Sequence, residues 1–277
     1  MSSPARPVTI LPKADVLTAL FTSWADIERL MADVSEQQWR TPSPLPGWSV
    51  HDVVAHIVGT EMMLLGEQTP ALDVEGVEHV RNDIGAINEA WVRHLEPLSG
   101  VELLERFRAV TAERRAVLTA MGDDEWYAVG FTPAGPDSYG RFMRIRVFDC
   151  WLHEQDIRQA LDRPATDGEL AGPAGRTALD EMTASMGFVV GRLGKAPDGS
   201  RVALELTGPL ARTIRVAVTG RAEVVDDFGG AAPTTTLRLD ALDFARLCGG
   251  RIASAHLDID GDLQVGQQIL AKLNYLI

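Results

Sequence analysis

The sequence predicts a mixed fold, a helical bundle followed by a small α+β domain with an antiparallel sheet. Two periods predict it. In the first part of the 277 residues, apolar side chains recur at spacings of three and four, the stripe of amphipathic helices. Beyond Lys195 the spacing falls to two, in short runs bounded by Gly or Pro, which is strand patterning. The expected organisation is a flexible start at 1–12, a helical bundle at 13–194 and a C-terminal α+β domain at 195–277.

Taken in order, Leu17, Leu20, Phe21, Trp24, Ile27, Leu30, Met31 and Val34 place a first helix within 13–39. The proline-rich TPSPLPGW breaks the chain, and Ser49 then stands as an N-cap with Asp52 three residues on, so a second helix runs from there to about Glu67. Val77, Val80, Ile84, Ile87, Trp91 and Leu95 give a third helix, and Leu103, Leu104, Phe107, Val110, Val117 and Leu118 a fourth. GFTPAGPDSYG is a loop, and RIRVFDCWLHEQDIRQAL follows it as a mostly buried helix. Long helices joined by short polar loops make a bundle. A further helix from 174 to 193 leads to RVALELTG, RTIRVAVTG, RAEVVDD and TTTLRLD as strands. A short helix ALDFARLCGG, a strand AHLDIDG and a closing helix QVGQQILAKLNYL end the chain.

Composition narrows the function. A hydrophobic fraction of 45% provides a core for each part and excludes disorder. A net charge of -13 argues against nucleic acid or an anionic membrane as partner, because both require clustered Lys and Arg. No apolar run reaches membrane-span length, and MSSPARPVTILP does not read as a signal peptide. Cys150 and Cys248 lie in separate apolar runs, which suits a reducing compartment, so the cytoplasm is expected, and the oligomeric state is left at monomer or homodimer.

The chemistry concentrates in one helix. Asp149, His153 and Asp156 stand at i, i+4 and i+7 and share a face of an apolar helix, where ionisable groups need a counter-charge or a metal. His56, inside GWSVHDVVAHIVGTEMMLL, is the candidate partner in kind. His56, Asp149 and His153 can hold one divalent cation with a position left open, and Asp156 can orient His153. The bland alternatives are an ordinary helical i,i+4 pair and a satisfied core histidine. HEQDI lacks the second histidine of HExxH, which excludes a zincin. Cys150 reads as a small core residue. Arg144 and Arg146 read as arginines that steer an anion, pair with Asp149 or stand at the solvated surface, and Arg81, Asn88 and Glu61 as candidates for a cleft mouth. His51 and His94 show no partner in the sequence.

GWSVHDVVAH and RVFDCWLHEQDIR, followed by a small α+β domain, resemble the mycothiol-dependent maleylpyruvate isomerase family, within the wider DinB-like metal-binding four-helix bundles. The resemblance covers most of the chain. It implies zinc held by a His at the place of His56 and by a carboxylate and a His four positions apart in a helix, with Asp149 standing where the isomerase has Glu. TTLRLDALDFARLCGGRIASAHLDIDGDLQVGQQIL resembles the family's sterol-carrier-like C-terminal domain, and by position it carries to Arg251 the role of meeting an anionic substrate.

Three functional readings stay open. The first is a zinc-dependent transferase or isomerase that activates a thiol, with mycothiol as co-substrate, toward an electrophilic small molecule; the Asp149 departure favours the broader transferase statement. A metal-dependent hydrolase of a small amide or ester is the second, with Glu61 or Glu154 as its base. The third is a protein that binds metal or an apolar ligand without turnover.

Overall fold

The computed structural model describes residues 7–275, and the chain divides into two compact units between Ala165 and Thr166. In the first unit, the long helices among the described residues are α1 (Lys13–Met31), α2 (Val50–Leu64), α3 (Asp83–Leu95), α4 (Gly100–Ala120) and α5 (Tyr139–Ala160). Helix α1 packs on α5 and α4, while α2 packs on α3, α4 and α5. The predicted stripes turn inward, with Leu20, Trp24, Ile27, Phe107, Val147 and Trp151 all buried. Gly59 lets α2 and α3 approach, since a Cβ there would lie 2.4 Å from Cβ of Trp91.

Polar caps set the helix ends. Ser49 and Asp52 form the predicted reciprocal box at the start of α2, with the Asp52 carboxylate accepting the Ser49 N–H at 2.8 Å. The first helix is shorter than expected. It ends at Met31, and a separate turn, Glu36–Trp39, starts at its own box between Ser35 and Gln38. Helix α2 stops at Leu64, short of Glu67, and α3 begins only where Asn82 caps the Gly85 N–H at 2.9 Å. The apolar residues Val77 and Val80 therefore belong to the preceding loop, and so does Arg81.

Of the expected flexible start, residues 1–6 lie outside the described residues, whereas 7–12 are tied down. Asp137 accepts the Thr9 N–H at 2.7 Å and the Thr9 hydroxyl at 2.8 Å, Ser138 donates to the Thr9 carbonyl at 2.6 Å, and Trp126 Nε1 donates to the Leu11 carbonyl at 2.9 Å. The loop before α5 also contains a two-residue pairing, Val129–Gly130 with Asp137–Ser138.

The second unit holds α6 (Pro173–Gly187), extended by a π-helical turn at Phe188–Leu193, and five strands: β1 (Arg201–Thr207), β2 (Arg212–Thr219), β3 (Arg221–Val225), β4 (Thr235–Asp240) and β5 (Leu257–Gly261). Helices α7 (Ala241–Cys248) and α8 (Leu263–Leu270) flank β5 in sequence and pack on β4. The sheet order is β3-β2-β1-β4-β5, with Leu204 opposite Ile214 on one side and Leu237 on the other. The sheet is mixed. Three of its pairs are antiparallel as expected, but β1 and β4 run parallel, a direction that period-two patterning does not encode. The unit boundary falls at 165/166 rather than at 194/195 because α6 packs on β2 and β3 of the sheet. Gly191 permits the approach, since a Cβ there would sit 2.4 Å from Cβ of Ala222.

Asp137 ties the start of α5 to the chain's beginning and gives the fold an acid-sensitive joint. Burial raises its pKa, but the hydrogen bonds from Arg141, Thr9 and Ser138 outweigh burial and bring the carboxyl to about 2. A folded-state pKa below the unfolded 3.8 stabilises above that value and is lost as pH falls toward 2. Asp137→Asn is expected to cost about 2 kcal/mol in urea denaturation at pH 7, and the gap to wild type should close as the titration is repeated from pH 4 down to pH 2.

Candidate metal centre

Helix α2 presents His56, and α5 presents Asp149 and His153 one turn apart, so the pair is adjacent on one face while His56 comes from 93 residues away. His56 Nε2 lies 3.3 Å from Asp149 Oδ2, and His153 Nε2 lies 3.4 Å from Asp149 Oδ1. One ligand atom from each residue can be chosen so that all lie within 4.8 Å of one another. Bonds of about 2.0–2.1 Å at a tetrahedral angle would set ligand atoms roughly 3.3 Å apart, and each imidazole's contact with the carboxylate, one to either oxygen, is close to the spacing zinc requires. The donor set fits as well, being two imidazoles and one carboxylate. Both histidines are buried, whereas the Asp149 side chain is 30% exposed, which leaves one side of the cluster open to solvent.

The residues behind this triad fix its protonation. His153 Nδ1 lies 3.0 Å from Asp156 Oδ2, and Asp156 is itself buried; a proton held between them leaves Nε2 as the lone-pair edge facing Asp149. His56 Nδ1 is buried with no hydrogen-bond partner among the described residues. Burial lowers the His56 pKa and outweighs the attraction of Asp149, so this imidazole favours the neutral, metal-ready form. Burial also pushes His153 down, but Asp149 and Asp156 outweigh it and raise its pKa, so a cation there competes with a proton. Asp149 is pushed up by burial and pulled much further down by Arg146 and the two imidazoles, which keeps it a carboxylate.

Arg146 is no surface residue. It is buried, and its Nη1 donates to Asp149 Oδ2, which leaves Oδ1 as the oxygen free of guanidinium beside His153. The rest of the guanidinium engages Glu61 Oε1, from Nε at 3.0 Å and Nη2 at 2.8 Å, and Arg114 Nε reaches Glu61 Oε2 at 2.9 Å. Glu61 is fully buried between two arginines, so it does not line a cleft mouth. Arg114 also donates to the Tyr139 hydroxyl at 3.1 Å. Glu154 is buried and accepts Arg158 Nε at 2.7 Å. Cys150 is a buried core thiol, pushed up by burial to about 12. His51 is fully buried and donates through Nε2 to the Leu98 carbonyl at 2.9 Å, while His94 packs edge-on against Trp91. Arg251 lies in the second unit just past α7, where Nη1 donates to the Gly249 carbonyl at 2.7 Å.

Sequence reasoning missed the aromatic wall of the site. The Trp48 ring is centred 5.4 Å from His56 and 6.4 Å from His153. Its Nε1 donates to Glu89 Oε2 at 3.1 Å, and Glu89 also takes His79 Nε2 at 2.9 Å and Arg93 Nε at 2.9 Å. A single tryptophan in a proline-rich loop carries no periodic signal that would have marked it. Arg114 did carry one, because it falls on the buried stripe Leu103, Phe107, Val110, Leu118.

The family model for the mycothiol maleylpyruvate isomerase N-terminal domain matches residues 20–158, and the model for the C-terminal domain of the same isomerases matches 176–268. An uncharacterized protein of Mycobacterium tuberculosis, found in two strains, is 28% identical over 195 residues, covering 68% of this chain and 71% of its own. The crystal structure of a mycothiol-dependent maleylpyruvate isomerase superposes with a TM-score of 0.60 at 17% identity, covering 90% of this chain and 93% of that one. A histidine-to-alanine variant of that isomerase gives 0.59 at 16% identity with the same coverage. At these identities the superpositions show a shared fold.

Removing the buried Glu61 carboxylate takes from Arg114 the carboxylate it pairs with and leaves the buried Arg146 with Asp149. Glu61→Ala is expected to lower stability by about 3–5 kcal/mol in chemical denaturation, and Glu61→Gln, which keeps an acceptor, by less.

Proposed function

The chain belongs to the mycothiol-dependent maleylpyruvate isomerase family, and on that premise we propose that it is a metal-dependent enzyme of thiol chemistry, a transferase or isomerase that uses mycothiol toward an electrophilic small molecule. The observation that carries this reading is the convergence of His56, Asp149 and His153 within 4.8 Å, with solvent reaching Asp149. Zinc or another divalent cation held by these three residues would lower the pKa of a thiol in the open position, so that thiolate is available near neutral pH.

The protein's own residues supply the rest. His56 and His153 offer Nε2, Asp156 holds the proton on His153 Nδ1, and Arg146 fixes the Asp149 carboxylate by occupying Oδ2. Trp48 covers the imidazoles and limits water there. On the family resemblance, Arg251 meets an anionic part of the substrate. Isomerisation and transfer differ only in whether the thiol leaves again after adding to carbon, and both are consistent with this arrangement. A hydrolase would need a free carboxylate base, and Glu61 and Glu154 are both engaged by arginines. Two buried free cysteines suit the cytoplasm, and among the described residues no helix is long and apolar enough to cross a membrane.

Elemental mass spectrometry of tag-free protein tests the reading. About one divalent ion per chain is expected in wild type and none in folded His56→Ala or His153→Ala. Asp156→Asn should bind about 10–100-fold more weakly, as loss of a ligand-orienting carboxylate does. Wild-type protein that takes up no added zinc would refute the proposal, and metal uptake without thiol-dependent turnover would leave a binding protein.

A further inference from the structure

Glu89 lies outside the triad, yet it accepts from the indole that stands beside both imidazoles. The residue is 6% exposed and sits on α3, which packs on α2. One oxygen receives the Trp48 indole N–H at 3.1 Å and the His79 Nε2–H at 2.9 Å; the other receives Arg93 Nε at 2.9 Å. Arg93 Nη1 continues to the Asp73 carbonyl at 3.0 Å. Two loops are thereby fastened to one helix. The first carries Trp48, and the second spans Asp73 to His79. They meet closely, since a Cβ on Gly47, whose φ is +80°, would fall 2.6 Å from His79 Nδ1. The His79 ring stands edge-on to the Trp48 indole at 6.3 Å between centroids.

The backbone of Trp48 is held within its proline-rich loop, its carbonyl accepting the Ser43 N–H at 2.9 Å and the Ser43 hydroxyl at 2.8 Å, but these bonds do not orient the half-buried ring. The indole N–H is its one directional handle, and Glu89 holds it. We propose that Glu89 is a positioning residue of the metal centre, which clamps Trp48 and His79 so that the indole face closes over His56 and His153. This inference rests on the metal reading above. An aromatic cover fixes ring orientation and keeps the local dielectric low, and both strengthen the hold of imidazoles on a cation. The carboxylate serves here through geometry and is not itself a ligand.

Co²⁺ binding, read by its d–d absorption and by quenching of tryptophan fluorescence, tests the clamp. Glu89→Ala is expected to raise the Co²⁺ dissociation constant about tenfold and to alter the d–d bands. In the metal-free protein it should also increase acrylamide quenching of the emission that Trp48→Phe removes. Glu89→Gln keeps an oxygen for the indole and His79 and should restore most of the wild-type spectrum. In a Trp48→Phe background, Glu89→Ala should change Co²⁺ affinity little further, because the clamp then has nothing to hold. Wild-type affinity and spectrum in a folded Glu89→Ala protein would overturn the clamp and leave the metal reading intact. Full additivity of the two substitutions would overturn it as well. Failure of wild-type protein to bind Co²⁺ would overturn the metal reading, and the clamp with it.

Discussion

The first unit is organised around a carboxylate that never reaches water. Glu61 on α2 is fully buried, and a lone charge in such a place would cost several kcal/mol, so the bundle must bring it cations. It brings Arg114 from α4 and Arg146 from α5. Once both are docked, the relative register of three helices is set by hydrogen-bond geometry as well as by apolar packing. Arg146 then has one nitrogen left over, and that nitrogen meets Asp149. The acidic residue beside the two imidazoles is thus oriented by a network whose far end is Arg114. The four charges balance, two of each sign, so the network stands by itself while the imidazoles remain free to take a cation.

Much of this arrangement was legible in local spacing. The i,i+4 relation of Asp149 and His153, the turn that adds Asp156, and the apolar residues around them mark a buried polar face whatever the fold. His56 stood out as a polar residue of the same kind within another apolar helix. The Glu61–Arg146 pair was not legible, because the two are 85 residues apart and each alone looks like a polar position on a helix. The Trp48, His79 and Glu89 cluster was hidden for a related reason. It joins two irregular loops to one helix, and such contacts leave no period.

The second unit shows the same limit on a larger scale. Alternation in β1, β2 and β4 announces strands, and the turn residues between them locate the breaks. Strand direction is a property of the path of the chain, so the parallel β1–β4 pair could not be read from side chains that alternate equally well either way. The placement of α6 had a subtler clue. Its helical period is continuous with the bundle in style, but the glycines of its last turn are suited to close approach on a sheet edge, as at Gly191 over Ala222. Helical period reports that a face is buried and is silent about which neighbour buries it.

The docking of α5 against α2 joins two kinds of contact in one interface. Arg146 meets Glu61, and three residues further along α5, Asp149 meets His56. Any local opening that lifts this stretch of α5 therefore takes one of two guanidiniums from the buried Glu61 and disperses the triad in the same event. The cost of the first protects the second. Backbone amides near Asp149 and His153 are consequently expected to exchange with solvent only through rare, expensive openings.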